Sequence, residues 1–540
     1  MIKTYILDGL SISPFDDESR VLELAQKKLR SAGIATSGIE MNIFKKSVDA
    51  RKREDIKLVY SVCVKTDKCT DQTKLSRLGA RRAEFDELTV KKGSRKTASP
   101  PLVVGMGPAG LFCALILAEN GYRPVIIDRG DRISDRVKAV ERFYTERSLD
   151  PESNIQFGAG GAGTFSDGKL LTRINDPKCA YVLETFRRFG APDEITLKAI
   201  PHIGTDILRY VVDNILTEIE RLGGEVIYRC KLTDIERIAE DNIAVKTTKG
   251  DFTCSALVLA LGHSARDTYE MLIKKNFSIC AKPISVGVRI EHKRKFIEEA
   301  LYGRFAGIAS LGAAEYALSD TKGERGVYTF CMCPGGEVVA AASECGGVVV
   351  NGMSSYARDG ENSNSAIAVS VHPNDFGAVN GSLALGAIEY QRRIERAAYA
   401  AGGGDYSVPI QTVGDFMSGK SGTQPNTVMP TYMGGKGFET ASMDDILPDY
   451  VTKSLRYGLL SFDRKIHGFA MNEALLSGAE TRTSAPVRIL RGEDMRALGM
   501  GSIYPCGEGA GYAGGIMSAA VDGIRCAEAL LESAERKTMN

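Results

Sequence analysis

The sequence feature that most constrains the fold is a glycine motif between a short apolar run and an alanine- and leucine-rich segment. Residues 103–110 read Val-Val-Gly-Met-Gly-Pro-Ala-Gly, so Gly105, Gly107 and Gly110 have the G-x-G-x-x-G spacing. A second apolar run follows and ends at Asp128. A strand, a glycine turn, a helix and a second strand that ends in an acid form the βαβ unit that binds dinucleotides. The motif therefore predicts an α/β fold with a dinucleotide site.

Each residue type in the motif has a chemical reason. Gly105 permits the tight turn, Gly107 lets backbone N–H groups approach a pyrophosphate, and Gly110 allows the helix and the strand to pack closely. Pro108 and Ala109 begin the helix, whose free N–H groups and dipole favour phosphate charge. We expect the acid at the end of the second strand to accept hydrogen bonds from the adenosine ribose.

Two further glycine-rich segments point to the same kind of ligand. Residues 158–168 contain five glycines, and ordering so many glycines has a high entropy cost that a backbone wrapped against a flat ring explains. A flexible active-site lid is the alternative. Residues 503–517 read as a short strand ending in an acid, a glycine loop and a helix start. The candidate contacts from these two segments are Gly160, Gly161, Gly163, Thr164, Ser166, Asp167, Lys169, Gly507, Glu508, Gly514, Gly515 and Ile516.

Changes of pattern along the chain predict four segments. Residues 1–97 predict a small basic α+β domain, which a proline pair ends. Residues 98–281 and 446–540 predict the two parts of one nucleotide domain. Residues 282–445, where strand-like alternation and glycine turns dominate, predict an inserted β-rich α+β substrate domain.

Composition excludes several classes of protein. Of 540 residues, 43% are hydrophobic and 25% are charged, as in globular proteins. No apolar run approaches the length of a membrane span, and Asp8 interrupts an N-terminal run too short for a signal peptide. Twelve cysteines are too few for a disulfide scaffold. We therefore expect a cytoplasmic protein with reduced thiols.

The motifs together resemble a known family. The three glycine segments, with residues 201–206, 260–267 and 331–336, are similar to the bacterial family of uncharacterised FAD-dependent dehydrogenases, which are often labelled NAD(FAD)-utilising. The likeness runs over about residues 100–530. It implies bound FAD, a glutathione-reductase-like FAD-binding Rossmann domain and a substrate domain.

The resemblance also bears on individual residues. It adds Arg129 and Gly262 to the expected FAD contacts. A Glu commonly occupies the place of Ala159 in the family, so no acid–base role of that carboxylate carries over to this chain. The resemblance names no substrate, and the catalytic residues stay unassigned.

The sequence does not identify the electron donor or acceptor of the flavin. No second G-x-G-x-x-G lies between a predicted strand and helix, so the sequence predicts no separate NAD(P) domain. NAD(P)H, if it is the reductant, would dock transiently over the flavin. Alternatively, a small organic substrate reduces the flavin directly.

Cys331 and Cys333 flank Met332 on a predicted strand, so both side chains point to one face. Strand rise places them at about 6.6 Å, the outer edge of disulfide geometry. The spacing favours buried structural thiols, with a redox pair facing the flavin as the alternative. No second Cys or His pair has metal-ligand spacing, so we expect no metal site.

Several polar residues are weaker candidates. His202 and His263 are read as structural or cofactor-edge hydrogen bonders rather than bases. Lys169 and Arg173 could hold an anion or be surface charge. The donor-rich segments 480–486 and 351–359 could contact cofactor and substrate or be plain turns.

The basic N-terminal unit suggests a second interpretation. Residues 1–100 contain 21 Lys and Arg against 14 Asp and Glu, which includes pairs such as Arg81-Arg82 and Lys91-Lys92. The excess is modest and stacking aromatics are few, so a solvated face is favoured over nucleic-acid binding. The leading prediction is an FAD-dependent oxidoreductase acting on a small substrate. An RNA-associated flavoprotein and a flavin redox sensor without turnover are the alternatives, and the sequence sets no oligomeric state.

Overall fold

The computed structural model describes residues 3–67, 69–83, 99–239 and 241–536. The chain divides into two compact units. Unit 1 comprises Met1–Thr89, Asn175–His202 and Lys295–Ala314, and unit 2 comprises Val90–Ile174, Ile203–Arg294 and Glu315–Asn540. The boundary predicted at residue 97 lies outside the described residues.

Helices and strands are interspersed along the described residues, with several runs of consecutive strands. The strands are β1 (Lys3–Ile12), β2 (Glu40–Asp49), β3 (Lys57–Thr66), β4 (Arg81–Ala83), β5 (Leu102–Val104), β6 (Val125–Ile127), β7 (Glu225–Ile227), β8 (Leu232–Ala239), β9 (Asn242–Thr247), β10 (Gly250–Cys254), β11 (Leu257–Leu259), β12 (Ile279–Ala281), β13 (Ile284–Lys293), β14 (Ser319–Asp320), β15 (Val327–Cys333), β16 (Glu337–Ala340), β17 (Val350–Met353), β18 (Asn362–Val371), β19 (Val408–Thr412), β20 (Phe438–Thr440), β21 (Leu475–Glu480), β22 (Val487–Ile489) and β23 (Ile503–Pro505). The helices are α1 (Ser19–Ser31), α2 (Cys69–Arg77), α3 (Pro108–Glu119), α4 (Ile133–Glu146), α5 (Lys178–Arg188), α6 (Thr205–Arg221), α7 (Arg266–Lys274), α8 (Arg294–Tyr302), α9 (Leu383–Ala401), α10 (Val413–Ser418), α11 (Asp449–Asp463) and α12 (Ile516–Arg536). The predicted α/β class is confirmed.

Unit 1 is built around a four-stranded antiparallel sheet in the order β2-β3-β1-β4. Helix α1 buries Val21, Ala25 and Leu29, which recur at the spacing of one helix face. Strand β3 alternates buried and less buried residues, as a sheet with one covered face requires.

Basic side chains of unit 1 pair with acids on the same surface. Arg51 lies 2.6 Å from Asp49, and Arg81 lies 3.1 Å from Asp8. These pairs reduce the free positive charge that the sequence pattern suggests. The predicted Lys91-Lys92 cluster lies outside the described residues.

Unit 2 contains a five-stranded parallel sheet in the order β23-β11-β5-β6-β7. Strand β23, from near the C-terminus, pairs with β11, so distant parts of the chain form one sheet. A three-stranded antiparallel sheet, β10-β9-β8, follows β7 along the chain. Strand β5 is fully buried, which its unbroken apolar run predicts for a central parallel strand.

A larger mixed sheet forms the other main layer of unit 2. Its seven strands have the order β14-β15-β18-β13-β21-β19-β20. The central strands β13 and β18 pair over ten residues in antiparallel register. Strand β21 joins this sheet from beyond residue 445, next to β13.

Helix α3 is buried from Ala109 to Ala118 and packs against α12. A Cβ at Gly523 in α12 would lie 2.1 Å from the Ala109 carbonyl oxygen, so the two helix backbones touch where a glycine leaves room. This contact fixes the N-terminal ends of two helices against each other. No helix in the described part of the chain has the length and apolar character needed to cross a bilayer.

Candidate functional site

A cavity of about 380 Å³ in unit 2 lies where the carboxyl ends of β5, β6, β11 and β23 meet. Ligands of open α/β sheets bind at this edge. Three glycine loops contribute to its wall: the first glycine loop (residues 105–110), the second (158–168) and the third (507–516). The predicted contacts that line it are Gly105, Gly107, Pro108, Ala109, Asp128, Arg129, Gly161, Gly163, Ser166, Asp167, Lys169, Gly262, Glu508, Gly514, Gly515 and Ile516.

The glycines of the first glycine loop have different roles. A Cβ at Gly105, where φ is +103°, would lie 2.2 Å from the Ala260 carbonyl oxygen, and one at Gly110 would lie 1.8 Å from the Gly105 carbonyl oxygen. Protein contacts therefore require both glycines. A Cβ at Gly107 would meet only Gly161 Cα, at 3.8 Å, so this position leaves room beside the cavity.

Backbone atoms of the second glycine loop touch backbone atoms of the first. The Gly160 N–H donates to the Met106 carbonyl oxygen at 2.8 Å. A Cβ at Gly161 would lie 2.9 Å from Gly107 Cα, so the two loops approach at a distance that side chains would prevent. The two loops therefore act as one continuous backbone surface.

Arg136 of α4 holds the second glycine loop from behind. Its fully buried guanidinium donates to the carbonyl oxygens of Asn154 at 2.8 Å, Ile155 at 2.8 Å and Ala159 at 2.6 Å. A Cβ at Gly158 would lie 2.6 Å from Arg136 Cδ. These contacts favour an ordered loop over a flexible lid, and no sequence motif indicates the role of Arg136.

Asp128 is placed where the motif predicts. Its carboxylate accepts hydrogen bonds from the Met106 and Gly130 backbone N–H groups, each at 2.9 Å, and each oxygen has a second lone pair available for a ligand hydroxyl. Arg129, also in the wall, forms a two-point pair with Asp267 at 2.7 and 2.9 Å. Asp128 thus holds the first glycine loop in place and can still accept a hydrogen bond from a ligand.

The third glycine loop brings an acid and a helix end to the wall. Burial raises the pKa of Glu508 to about 7, against the opposing charge of Lys282. Helix α12 begins at Ile516, and a Cβ at Gly514 or Gly515 would meet no atom within 4 Å. The first N–H groups of a helix have no partner within the helix, so this end can bind a ligand oxygen.

Four charged side chains form a paired cluster beside the second glycine loop. Arg358 donates to Asp167 at 2.9 Å and also pairs with Glu315. Lys169 Nζ lies 3.1 Å from Glu315 Oε2. Burial acts to lower the pKa of Lys169, but the Glu315 and Asp167 carboxylates raise it above its usual value. Lys169 therefore presents a cation to the cavity, whereas Arg173 is exposed and lies outside its wall.

The other side of the cavity, which we name the sheet wall, consists of five residues on or beside β15, β17 and β21. They are Phe330, Cys331, Asn351, Arg482 and Thr483. Cys331 is half-buried and Cys333 fully buried, so the expectation of two buried thiols holds for Cys333 alone. Of the donor-rich segment 480–486, Arg482 and Thr483 reach the cavity.

Arg482 is held in a buried network. Its guanidinium donates to the Glu395 carboxylate at 2.9 and 3.1 Å and to Ser264 Oγ at 3.1 Å. Glu395 also pairs with Arg266 at 2.6 and 2.8 Å. Arg266 also pairs with Glu344, so two arginines and two carboxylates balance each other behind this part of the wall.

Of the described histidines, His263 alone lines the cavity. Its Nδ1 lies 2.9 Å from Ser264 Oγ. Burial, followed by the charge of Arg482, lowers the pKa of His263 to about 3. The ring is therefore neutral near pH 7, which agrees with a cofactor-edge hydrogen bonder. His202 is buried in unit 1.

Four predicted contacts lie behind the wall instead of in it: Gly110, Gly160, Thr164 and Gly507. Each is used by protein packing. A Cβ at Gly160 would lie 1.9 Å from Thr164 Oγ1, and one at Gly507 would lie 2.6 Å from Ala109 Cβ. The motif spacing identifies these residues correctly as close approaches, but the partner is the protein itself.

The prediction missed wall residues Cys230, Lys231 and Leu232 entirely. They follow β7, the parallel neighbour of β6, and the Cys230 N–H donates to the Asp128 carbonyl oxygen at 2.7 Å. Their loop leaves the sheet at the same edge as Asp128. Strand order could have indicated them, but the residues themselves carry no motif.

Two family models and one relative over nearly its full length match this chain. A family model described as FAD-dependent protein, C-terminal domain-like, matches residues 283–483, and a domain of unknown function matches residues 6–65. An uncharacterised protein from Clostridium beijerinckii is 46% identical over 97% of this chain and 98% of its own length. The chain belongs to this family of FAD-dependent proteins. FAD is its cofactor.

Solved structures of FAD complexes have a more distant likeness to this FAD-dependent protein. A variant of the halogenase PltM in complex with FAD is 11% identical over 81% of this chain and 70% of its own, with a TM-score of 0.38. CtdE in complex with FAD is 10% identical over 82% of this chain and 89% of its own, with a TM-score of 0.33. Neither likeness assigns an activity.

The residues present fit FAD. Gly107, Gly514 and Gly515 leave space in which a side chain would have met no protein atom closer than 3.8 Å. The N-terminal ends of α3 and α12 both reach the cavity and favour anionic groups. Asp128 keeps acceptor capacity for a ribose hydroxyl. Backbone donors with one acid acceptor suit a dinucleotide.

Proposed function

We propose that this chain is an FAD-dependent dehydrogenase that transfers hydride between a small organic substrate and N5 of the flavin. One observation carries the proposal: the glycine loops that fit FAD share their cavity with the charged and thiol side chains of the sheet wall. A site that served only to hold the cofactor would need no such reactive groups. When bound, FAD supplies a ring that accepts or donates a hydride.

The glycine loops and Asp128 bind the dinucleotide. Gly107 brings backbone N–H groups to the pyrophosphate, and Asp128 accepts from the ribose. The start of α12 at Ile516 would offer N–H groups and partial positive charge to the part of the flavin ring that gains negative charge when the cofactor is reduced. These groups orient the cofactor without themselves exchanging protons.

The sheet wall and its neighbours face the substrate side. Leu171 is 59% exposed and Phe330 36% exposed, and both line the cavity, so they border its opening. Arg482 and Lys169 line the cavity and supply N–H donors that suit a substrate with a carboxylate or similar anionic group. Glu508 can hold a proton near neutral pH because burial raises its pKa to about 7.

The same cavity would have to receive the electron partner. Among the described residues, the five-stranded sheet is the only all-parallel sheet of three or more strands. A separate NAD(P) domain of the usual parallel kind is therefore missing from that part of the chain. NAD(P)H, if it serves, would enter beside Phe330 and Leu171.

Anaerobic reduction of the FAD-loaded protein tests the proposal. NADH, NADPH, hydroxy acids and amines are offered one class at a time, with an artificial electron acceptor to allow repeated cycles. We expect one class to bleach the flavin and support many turnovers, and Gly107→Val to abolish both. Arg142→Ala, an exposed change on α4, is the control that should retain them. Firmly bound FAD that no class turns over would instead favour a redox sensor.

The basic surface of unit 1 gives less support to the RNA-associated alternative. Arg51 and Arg81 have acidic partners on the same unit. A gel-retardation assay with the full chain and transfer RNA tests this point directly. We expect no retardation at physiological salt, because non-specific binding to nucleic acid needs many basic side chains that contact phosphate groups.

A further inference from the structure

Strand β15 is irregular where its two cysteines lie. Phe330 pairs with Ala366 of β18 and Cys333 pairs with Asn364, so three residue steps on β15 oppose two steps on β18. An extra residue of this kind is a β-bulge, which contracts the strand and re-aims a side chain, often beside an active site. The regular 6.6 Å separation expected for Cys331 and Cys333 on a flat strand therefore does not apply here.

Cys331 has the backbone conformation that this bulge requires. Its φ is +47°, in the left-handed region that residues other than glycine rarely adopt. Strained residues of this kind cluster at functional sites. The bulge thereby places a thiol at the cavity wall.

The two thiols are adjacent and differ in access. Cys331 lines the cavity, whereas Cys333 is fully buried behind it. The Cys333 thiol donates to the Cys331 carbonyl oxygen at 3.3 Å, and by rotation it can donate instead to the Cys331 sulfur. A surface thiol backed by a buried partner is the arrangement of an attacking and a resolving cysteine.

A fixed positive charge stands beside the pair. Arg289 donates to the Cys331 carbonyl oxygen at 3.0 Å and lies 3.9 Å from Cys333 Sγ. Its guanidinium is fully buried and is held by the Glu480 carboxylate at 2.7 and 3.0 Å. The hydrogen bond from Cys333, followed by the charges of Arg289 and Lys169, holds the pKa of Cys331 below that of a free thiol despite burial.

We propose that Cys331 and Cys333 form a redox-active dithiol that exchanges an electron pair with the FAD of this cavity. In the forward direction each thiol loses its proton and an S–S bond forms between the two sulfurs. The two electrons released and one proton pass to oxidised FAD, and the second proton passes to solvent. This proposal depends on the proposed function in one respect, which is that FAD occupies the cavity.

Electron counting on the FAD-loaded protein tests the proposal. The protein is fully oxidised and then titrated with dithionite without oxygen. We expect four electrons per FAD for the wild type, because a dithiol/disulfide couple adds two to the two of the flavin. Cys331→Ser and Cys333→Ser should each take up two. Cys280→Ser, a change of an exposed cysteine outside the cavity wall, should still take up four.

A chemical readout separates the dithiol from any other reducible group. In the oxidised wild type, the peptide that carries both cysteines should be lighter by two hydrogen atoms and resist alkylation. After reduction, Cys331 should be alkylated before Cys333, with a pH midpoint below that of a free thiol. Uptake of two electrons by a wild type that binds FAD stoichiometrically would overturn the dithiol while leaving the proposed function intact. A protein that binds no FAD would overturn the proposed function instead.

Discussion

The two sides of the cavity present different chemical groups. The loop wall, which we define as the three glycine loops, presents backbone N–H groups, missing Cβ atoms and two helix ends. The sheet wall presents a phenyl ring, a thiol, an amide, a hydroxyl and a guanidinium. Backbone recognises the invariant pyrophosphate and ribose of a cofactor, whereas side chains determine chemistry with a substrate. We infer that changes in the loop wall remove FAD and that changes in the sheet wall keep FAD and alter its reactivity.

The largest effect is expected where the loop wall depends on a single side chain. Arg136→Met removes charged hydrogen bonds to three buried carbonyl oxygens, each worth about 1.5–3 kcal/mol. We expect the free energy of unfolding to fall by roughly 3 kcal/mol or more and FAD affinity to be lost. Urea unfolding and flavin absorbance measure both. Arg142→Met on the same helix is exposed and should change neither; unchanged FAD binding in Arg136→Met would contradict the ordered loop.

A change in the sheet wall should separate binding from reactivity. Phe330 is 36% exposed, so Phe330→Ala should alter the free energy of unfolding by less than about 1 kcal/mol. We expect FAD content per chain to stay at the wild-type level, while the rate of flavin reduction by the substrate class changes by about tenfold. Stopped-flow absorbance gives this rate. Loss of FAD in this variant would remove the distinction between the two walls.

The acid of the loop wall should make cofactor affinity depend on pH. Burial raises the pKa of Glu508 to about 7, so the carboxyl is neutral below this pH and gains negative charge above it. A new charge beside an anionic cofactor should weaken FAD binding by roughly three- to tenfold between about pH 6 and pH 8. Fluorescence titration with FAD measures the affinity. Glu508→Gln should give a flat profile, and an equal pH dependence in this variant would assign the effect to another group.

The smallest expected effect concerns the start of α12. Gly515→Pro removes one N–H group near a helix end, where such a charge–dipole contact is worth about 0.3–1 kcal/mol. We expect sulfite affinity of the bound flavin to fall by roughly two- to fivefold, with FAD retained. Gly515→Ala keeps the N–H group, and its Cβ would meet no atom within 4 Å, so it should resemble the wild type. Equal sulfite binding in both variants would show that this helix end does not act on the ring.

The contrast between the walls also explains what the sequence could predict. Gly105, Gly107 and Asp128 lie close together along the chain, so their spacing alone indicates their joint use. Glycine spacing does not distinguish a contact to ligand from a contact to protein, which is why Gly160 and Gly507 are predicted as FAD contacts although protein atoms occupy the space beside them. Only the three-dimensional packing separates these cases.

Local pattern predicts only part of the sheet wall. The segments 351–359 and 480–486 and the cysteine pair are candidates from the sequence alone, but Phe330 is not, and nothing local shows that these residues share one wall. Phe330, Asn351 and Arg482 come from three strands or their ends, and pairing of β21 with β13 brings the last of these into place. The left-handed backbone at Cys331 accompanies a register shift between β15 and β18, and no residue type in β15 predicts this shift. Long-range strand pairing determines such features. A single sequence therefore shows that two cysteines are present but not the direction in which their side chains point.

The central claim is that FAD lies against the first glycine loop, and Gly107→Val tests it most directly. A Cβ there would meet only Gly161 Cα, at 3.8 Å, so the protein alone should accept the change, in contrast to Gly110→Ala, whose Cβ would lie 1.8 Å from the Gly105 carbonyl oxygen. The measurement is flavin absorbance per chain together with the melting temperature of the FAD-free protein. We predict a colourless Gly107→Val protein that melts within a few degrees of FAD-free wild type. A full flavin spectrum in this variant would contradict the placement of the cofactor.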